Sequence, residues 1–416
     1  MNALRFRTAL LIAFGLIPAS AVDVRAQADR PAEPVALIHA NVLDVRTGRL
    51  AAHQTVVLRA GKIESVSAAP AAAGIKVVDL GGRTLVPGLV DAHTHIANFA
   101  AAKRALESGV TTVRSSGVSN FVDVSLRDLA KSSVIAGPDF LASGYHVRDH
   151  LAEEAFFSDP SLVDLMGGVK TIPDIRRVVR MNLAHGVDWI KLMATERAGT
   201  PETDPRRQMW SEAEMRAIVE EAALKGVRVQ AHAHGAEGAL DAVRAGVASI
   251  EHGTYLTDEA LDLMEQKGTA FVPTHSMVID LAEPGGEYDH PVLIMRGQAM
   301  LPRLGDVVRR AYKKGVLIVA GGDTSYGPNS VTRVSQEVAN FVRLGLSPID
   351  AIRAATVNAA VLFRLEKSIG AIEPGLEADL VAVAENPLED VATLQDPLLI
   401  VSNGRVVLDR LNFGKK

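Results

Sequence analysis

The chain has 416 residues, 22% of them charged and 48% hydrophobic, with a formal charge of −5, 12 histidines and no cysteine. Such a composition builds one large or two unequal globular domains. The slight acidity and the lack of any Lys/Arg block exclude a nucleic-acid binder, and the missing thiols exclude disulfides, thiolate metal sites and a cysteine nucleophile.

The first 28 residues read as an export signal. Arg5 and Arg7 form a short basic region, 8–17 is apolar, and Ala26-Gln27-Ala28 has the small-x-small pattern of a cleavage site, with Ala19-Ser20-Ala21 as a second option. The apolar run, broken by Pro18, falls short of the roughly 20 residues of a membrane span. Cleavage after Ala28 predicts an exported protein, periplasmic or secreted, with no stable membrane anchor; the alternative is an uncleaved anchor. Arg5, Arg7, Arg25 and Asp23 leave with the signal, so the charge of −5 becomes −7. Without a cysteine the product is not a lipoprotein of the usual bacterial kind.

Residues 35–78 alternate in short strands with turn signals at Thr47-Gly48 and Ala60-Gly61-Lys62, and 370–408 repeats this around Pro374-Gly375 and Asn403-Gly404. Each flank is too small to bury a core alone. They are predicted to form one composite β-sandwich, from 29–86 and 366–416, beside a central domain at 87–365. In that domain a helix ending in Gly and followed by a strand recurs at Gly109, Gly186, Gly226, Gly246, Gly268 and Gly315. Strands are predicted at 85–92, 111–113, 140–143, 189–193, 227–231, 249–250, 270–273 and 317–320. Helices alternate with them, one opened by a Ser211/Glu214 capping box and another by Ser347-Pro348. Eight such units match an α/β TIM (β/α)8 barrel, typically ~250 residues long. An open doubly wound sheet would want a Gly-rich phosphate turn, and none follows an early strand.

Residues able to do chemistry gather where these strands end. His93 and His95 stand two apart on a strand and share a face. That spacing alone is weak, but Lys191, His232, His234, His252 and Asp323 also close short apolar runs. Alternation sends Ile190 and Leu192 outward and Lys191 into the barrel. Burial without a partner favours its neutral amine. Carbon dioxide added there gives a carbamate, an anionic ligand with two oxygens. The alternative is a structural lysine paired with Asp188 or Asp323.

These residues resemble the amidohydrolase superfamily, in its binuclear form with a carboxylated lysine. The motifs span nearly the whole mature chain: 88–95 with its two histidines, 107–114, Ile190-Lys191, His232-Ala233-His234-Gly235, Ile250-Glu251-His252-Gly253, Gly322-Asp323 and the closing 370–380. The branch is similar to prolidase-like dipeptidases, N-acyl-amino-acid carboxypeptidases and ochratoxinase-type amidases. The resemblance implies two divalent ions, zinc by default. One would be held by His93, His95 and Asp323, the other by His232 and His252, with carboxylated Lys191 as the bridge. It further implies a shared hydroxide as nucleophile on a small amide or dipeptide, Asp323 as proton carrier, His234 as donor to the scissile carbonyl, and a homo-oligomer.

Tyr145, His146, Arg148, Arg197, Tyr255 and His275 are the candidate substrate contacts, since each follows a strand at the expected active face; each is also readable as an ordinary loop residue. Two departures stand out. The stretch from His95 to Glu107 is short, which predicts an open pocket, and the family's common Arg-Asp pair after strand 2 is Arg114-Ser115 here, which removes one supporting carboxylate. A cyclic amidase of the imidazolonepropionase or dihydroorotase kind, or a lactonase or phosphotriesterase, would fit the same ligands. A deaminase would want a Glu three residues after His232, where Gly235 stands, and a non-catalytic scaffold would have lost ligands.

Overall fold

The computed structural model describes residues 33–286 and 288–412. The expected export signal and its cleavage site lie outside them. Five strands come first: β1 (Val35–Asp44), β2 (Arg49–Arg59), β3 (Lys62–Ser67), β4 (Lys76–Asp79) and β5 (Thr84–Pro87). Seven follow: β6 (Leu89–Thr94), β7 (Val110–Ser115), β8 (Asp139–Leu141), β9 (Trp189–Met193), β10 (Arg228–Ala233), β11 (Ser249–His252) and β12 (Ala270–Val272). The last three are β13 (Leu380–Val383), β14 (Leu399–Ser402) and β15 (Arg405–Asp409).

Both flanks enter one eight-stranded sheet, in the order β15-β14-β13-β5-β1-β2-β3, with β4 also paired to β1. All eight strands are joined in a single branched, hydrogen-bonded sheet. It branches because β1 turns at His39, where φ is 51°, so its first half pairs with β4 and its second half with β5. Leu37, Val56, Leu58, Leu85, Leu380, Leu399 and Val401 form its core, drawn from both ends of the chain. The Ala60-Gly61 and Asn403-Gly404 hairpin tips touch: a Cβ on Gly404 would lie 2.8 Å from the Gly61 Cα.

Strands β6-β7-β8 and β12-β11-β10-β9 form two parallel sheets. Isolated bridges Val147↔Leu192, Phe271↔Ile318 and Thr94↔Thr324 run between their margins. The stretch expected as an eighth strand, 317–320, is not a regular strand. It nevertheless bonds on both sides, Val319 N–H to Phe271 O at 2.9 Å and Ala92 N–H to Ala320 O at 3.0 Å. Regular pairing stops as the backbone turns at Gly321-Gly322, so close to β6 that a Cβ on Gly321 would sit 2.8 Å from the His93 Cβ.

Other boundaries shift for local reasons. The run 85–92 is two strands, cut at Gly88, which hands the chain from the branched sheet to β6. β8 stops at Leu141 because the Asp123 carboxylate takes the Ser143 and Gly144 N–H groups, at 2.8 and 2.9 Å. β10 runs on to Ala233, so His232 lies inside it.

Helices fill the connections: α1 (Phe99–Glu107), α2 (Val122–Lys131), α3 (Glu153–Ser158), α4 (Ile172–Ala184), α5 (Glu212–Ala223), α6 (Ala236–Ala245), α7 (Asp258–Lys267), α8 (His275–Ala282), α9 (Pro291–Lys314), α10 (Val334–Arg343), α11 (Pro348–Ala354) and α12 (Val357–Phe363). The Ser211/Glu214 capping box opens α5 and Ser347 caps α11, as the sequence predicts. Gly246, Gly268 and Gly315 end α6, α7 and α9 in the left-handed conformation. No described helix is long and apolar enough to cross a membrane.

Strand alternation then sorts the side chains. Ile190, Leu192, Ile250 and Phe271 pack in the larger core, which also takes in the apolar faces of the helices. Val90, Ala92, Trp189, Val272 and Val319 fill a smaller core on the opposite face. Lys191 alternates with Ile190 and Leu192, and so shares the inner face with Trp189.

Candidate metal centre

Six histidines, Lys191 and Asp323 line one cavity above the smaller core. His93 lies near the end of β6 and His95 directly follows it, Lys191 lies in β9, His232 in β10 and His252 at the end of β11. His234 follows β10 directly. Three non-glycine residues at the rim have positive φ: His252 at 71°, Thr274 at 49° and Asp323 at 46°. Each such turn costs about 1–3 kcal/mol and bends the chain back over the cavity. The clamp on Asp323 is visible: its N–H bonds to His93 O at 2.8 Å, and buried Asp91 takes the Gly322 N–H at 2.8 Å and the His93 N–H at 3.1 Å.

Each imidazole has one nitrogen occupied and the other left for the cavity. His93 Nδ1 donates to Glu251 Oε2 at 2.8 Å, and His95 Nδ1 to Gly117 O at 2.8 Å. His232 is reversed, with Nε2 donating to Glu196 O at 3.0 Å. His234 Nδ1 meets Thr254 Oγ1 at 2.9 Å and His252 Nδ1 meets Thr274 Oγ1 at 2.7 Å. A ring tied at one nitrogen in this way offers the other as a ligand of fixed tautomer and direction. Burial, then nearby cationic groups, push His93, His232 and His252 well below the usual histidine value, so these rings are neutral.

The carboxylate and the amine complete the set. Burial alone would raise the Asp323 carboxyl, but His93, His95 and Lys191 outweigh it and hold it below the usual range. Asp323 Oδ1 stands 3.3 Å from His95 Nε2 and 3.5 Å from His93 Nε2. Lys191 is 1% exposed, and its Nζ lies 3.4 Å from His93 Nε2. Burial lowers it to about 8, against the pull of Glu251 and Asp323. Among the described residues it has no ion pair, and Asp188, the alternative partner, is held by Arg127 at 2.8 Å.

The donors fit a pair of divalent ions. His93, His252 and Asp323 bring ligand atoms within 4.8 Å of one another, as do His232, His234 and His252, so two adjoining groups share His252. Neutral imidazoles with one carboxylate suit zinc-like ions. The Amidohydrolase family matches residues 84–407. The chain belongs to that family.

Ochratoxinase of Aspergillus niger is 30% identical to this amidohydrolase over an alignment of 356 positions that covers 75% of this chain and 72% of that protein. The solved structure of a Xaa-Pro dipeptidase with methionine bound in its active site is 28% identical, with a TM-score of 0.81, covering 90% of this chain and 100% of that one. A prolidase complexed with N-methylphosphonate-L-proline is 26% identical, with a TM-score of 0.79 and the same coverage, 90% and 100%. The chain is therefore a metal-binding hydrolase acting on C–N bonds, with a TIM-barrel-type fold and a separate β domain.

The candidate substrate contacts of this amidohydrolase part ways in the structure. His146 and Arg197 line the histidine cavity. Tyr145 and Arg148 line an adjoining one, but the Tyr145 hydroxyl is engaged by the Asn120 N–H at 2.8 Å. Tyr255 lies elsewhere, in a cleft under Arg303, whose guanidinium stands 5.6 Å from its ring. His275 opens α8, where its N–H and that of Ser276 are held by buried Glu337, each at 2.7 Å; it does not line the cavity. Sequence reasoning missed Tyr288 and Met277, which do line it. It also missed Glu251, whose buried carboxylate bonds both His93 and Arg114. Ser249 and Glu251 stand two apart and bond to each other, so strand alternation was the signal for an inward-facing acid.

Proposed function

We propose that this amidohydrolase cleaves the amide bond of N-acyl amino acids or dipeptides, Xaa-Pro and ochratoxin-like amides included. The protein would be exported, with 29–86 and 366–416 as the β domain and 87–365 as a closed eight-segment barrel.

Lys191 carries the reading. A primary amine held in a nest of imidazoles, without an acid partner among the described residues, is poor structural design unless it is converted to an anion. Neutral Nζ would take up carbon dioxide and release a proton, and the carbamate would offer two anionic oxygens to the divalent ions, zinc by default. His93, His95 and Asp323 would hold one ion, and His232 and His252 the other. When bound, the ions polarise a carbonyl and acidify a water molecule toward neutrality. Asp323 takes the proton of the attacking water at its carboxylate and returns it to the amide nitrogen as the C–N bond breaks. His234 Nε2, buried and without a hydrogen-bond partner among the described residues, donates to the carbonyl oxygen as charge develops there. Thr254 Oγ1 anchors the ring at Nδ1, where its hydroxyl can donate while Nε2 carries the proton. Relatives named as an ochratoxinase, a Xaa-Pro dipeptidase and a prolidase support the amide class.

The test is release of the C-terminal amino acid from a panel of N-acyl amino acids and dipeptides by the purified protein, supplied with zinc and bicarbonate. Release is expected. No release by protein shown to contain metal would overturn the reading.

A further inference from the structure

Beside the histidine cavity lies a second one, about 620 Å³ with its open mouth, which shares His95, His146 and Arg197 with the first. Its lining has two guanidinium groups, Arg148 and Arg197, and no carboxylate. Other cations of the region are spent. Arg206 pairs with Asp204, Arg207 with Glu196, and Arg296 binds the carbonyls of Ala198, Thr200, Pro201 and Thr203. Arg148 and Arg197 differ: among the described residues neither has an ion pair or a side-chain hydrogen bond, and Arg148 Nε is buried without a partner. A buried donor with nothing to bond is costly, and two guanidiniums lining one cavity, Arg148 half-buried and Arg197 exposed, can meet a planar carboxylate. Val118, Leu151 and Ala152 add an apolar wall.

The other half of the cavity is equally selective. Asp323 is the only carboxylate lining either cavity among the described residues, and His93 and His95 already engage it. A cationic group on the acyl side of a substrate would find no free carboxylate among the described residues.

We infer that the second cavity receives the leaving amino acid, with Arg148 and Arg197 taking its α-carboxylate. The substrates are then N-acyl amino acids with a free carboxylate and an uncharged acyl group, in preference to dipeptides with a free ammonium. This rests on the amide-hydrolase reading.

Three matched substrates test it: N-acetyl-L-phenylalanine, its C-terminal amide, and L-alanyl-L-phenylalanine. Calorimetric binding of 3-phenylpropionate and 3-phenylpropionamide supplies a readout that needs no turnover. The acid should exceed its amide in kcat/KM by about 10- to 100-fold, the worth of charge-assisted hydrogen bonds, and should also exceed the dipeptide. 3-Phenylpropionate should bind better than its amide, about 10-fold or more weaker in Arg148→Met and in Arg197→Met, with part of the loss recovered in Arg148→Lys. Equal turnover of acid and amide, preference for the dipeptide, or carboxylate binding untouched by both Met substitutions would overturn the inference even with amide hydrolysis established. Arginine-dependent carboxylate binding without turnover of any substrate would support the pocket and contradict the amide reading alone.

Discussion

Glu251 sets what His93 can offer. Its Oε1 accepts from Arg114 Nη2 at 2.8 Å and its Oε2 from His93 Nδ1 at 2.8 Å, and all three side chains are buried. Arg114 is fixed in turn by Ala92 O at 2.8 Å and by the Trp189 ring, 4.7 Å from its guanidinium. The chain Arg114–Glu251–His93 holds the proton on Nδ1 and leaves Nε2 unprotonated. Glu251→Gln puts a donor where an acceptor is needed. Zinc affinity should fall about 10- to 100-fold, measured by competition with a chromophoric chelator; unchanged affinity would show that His93 needs no such support. The residues that gather in the cavity were legible because histidines, a lysine and an aspartate stood in or at the ends of short apolar runs. Glu251 was not, because an acid next to a histidine reads as part of the motif until its neighbour across the barrel, Arg114, is known. Tyr255 and His275 misled for the opposite reason: position after a strand does not fix which way the following loop turns.

At the scale of elements, Gly88 joins the two architectures. Its N–H bonds to Asp379 O at 2.8 Å, tying the β5–β6 junction to β13. A Cβ there would lie 2.2 Å from Thr111 Oγ1 on β7. Gly88→Ala should therefore destabilise the protein by about 1–3 kcal/mol through overpacking. Adding Thr111→Ala should recover part of that loss, since the clash is specific to one pair. Chemical denaturation of the single and double variants reads both, and an additive loss would place the strain elsewhere. The sequence reads the apolar run 85–92 as one strand because hydrophobicity does not record a change of sheet. Caps and left-handed glycines, whose signals are local, were read where they stand. The 317–320 stretch was read as a strand because it has a strand's composition; its pairing is cut short by the close approach of Gly321 to His93.

On the scale of the whole molecule, two ends of the chain make one sheet while the middle places its polar residues around one cavity. That the flanks belong together was legible from their size, too small for separate cores. That they form one branched sheet was not, because the branch depends on the single left-handed turn at His39. The account turns on whether the cavity of histidines, Asp323 and Lys191 is a two-ion centre. The most direct measurement is anomalous diffraction from crystals of the protein grown with zinc and bicarbonate. Two zinc peaks are expected, one among His93, His95 and Asp323 and one between His232 and His252, with extra density on Lys191 Nζ reaching both. Zinc confined to other residues, or a bare Lys191 amine beside a fully occupied pair, would contradict it.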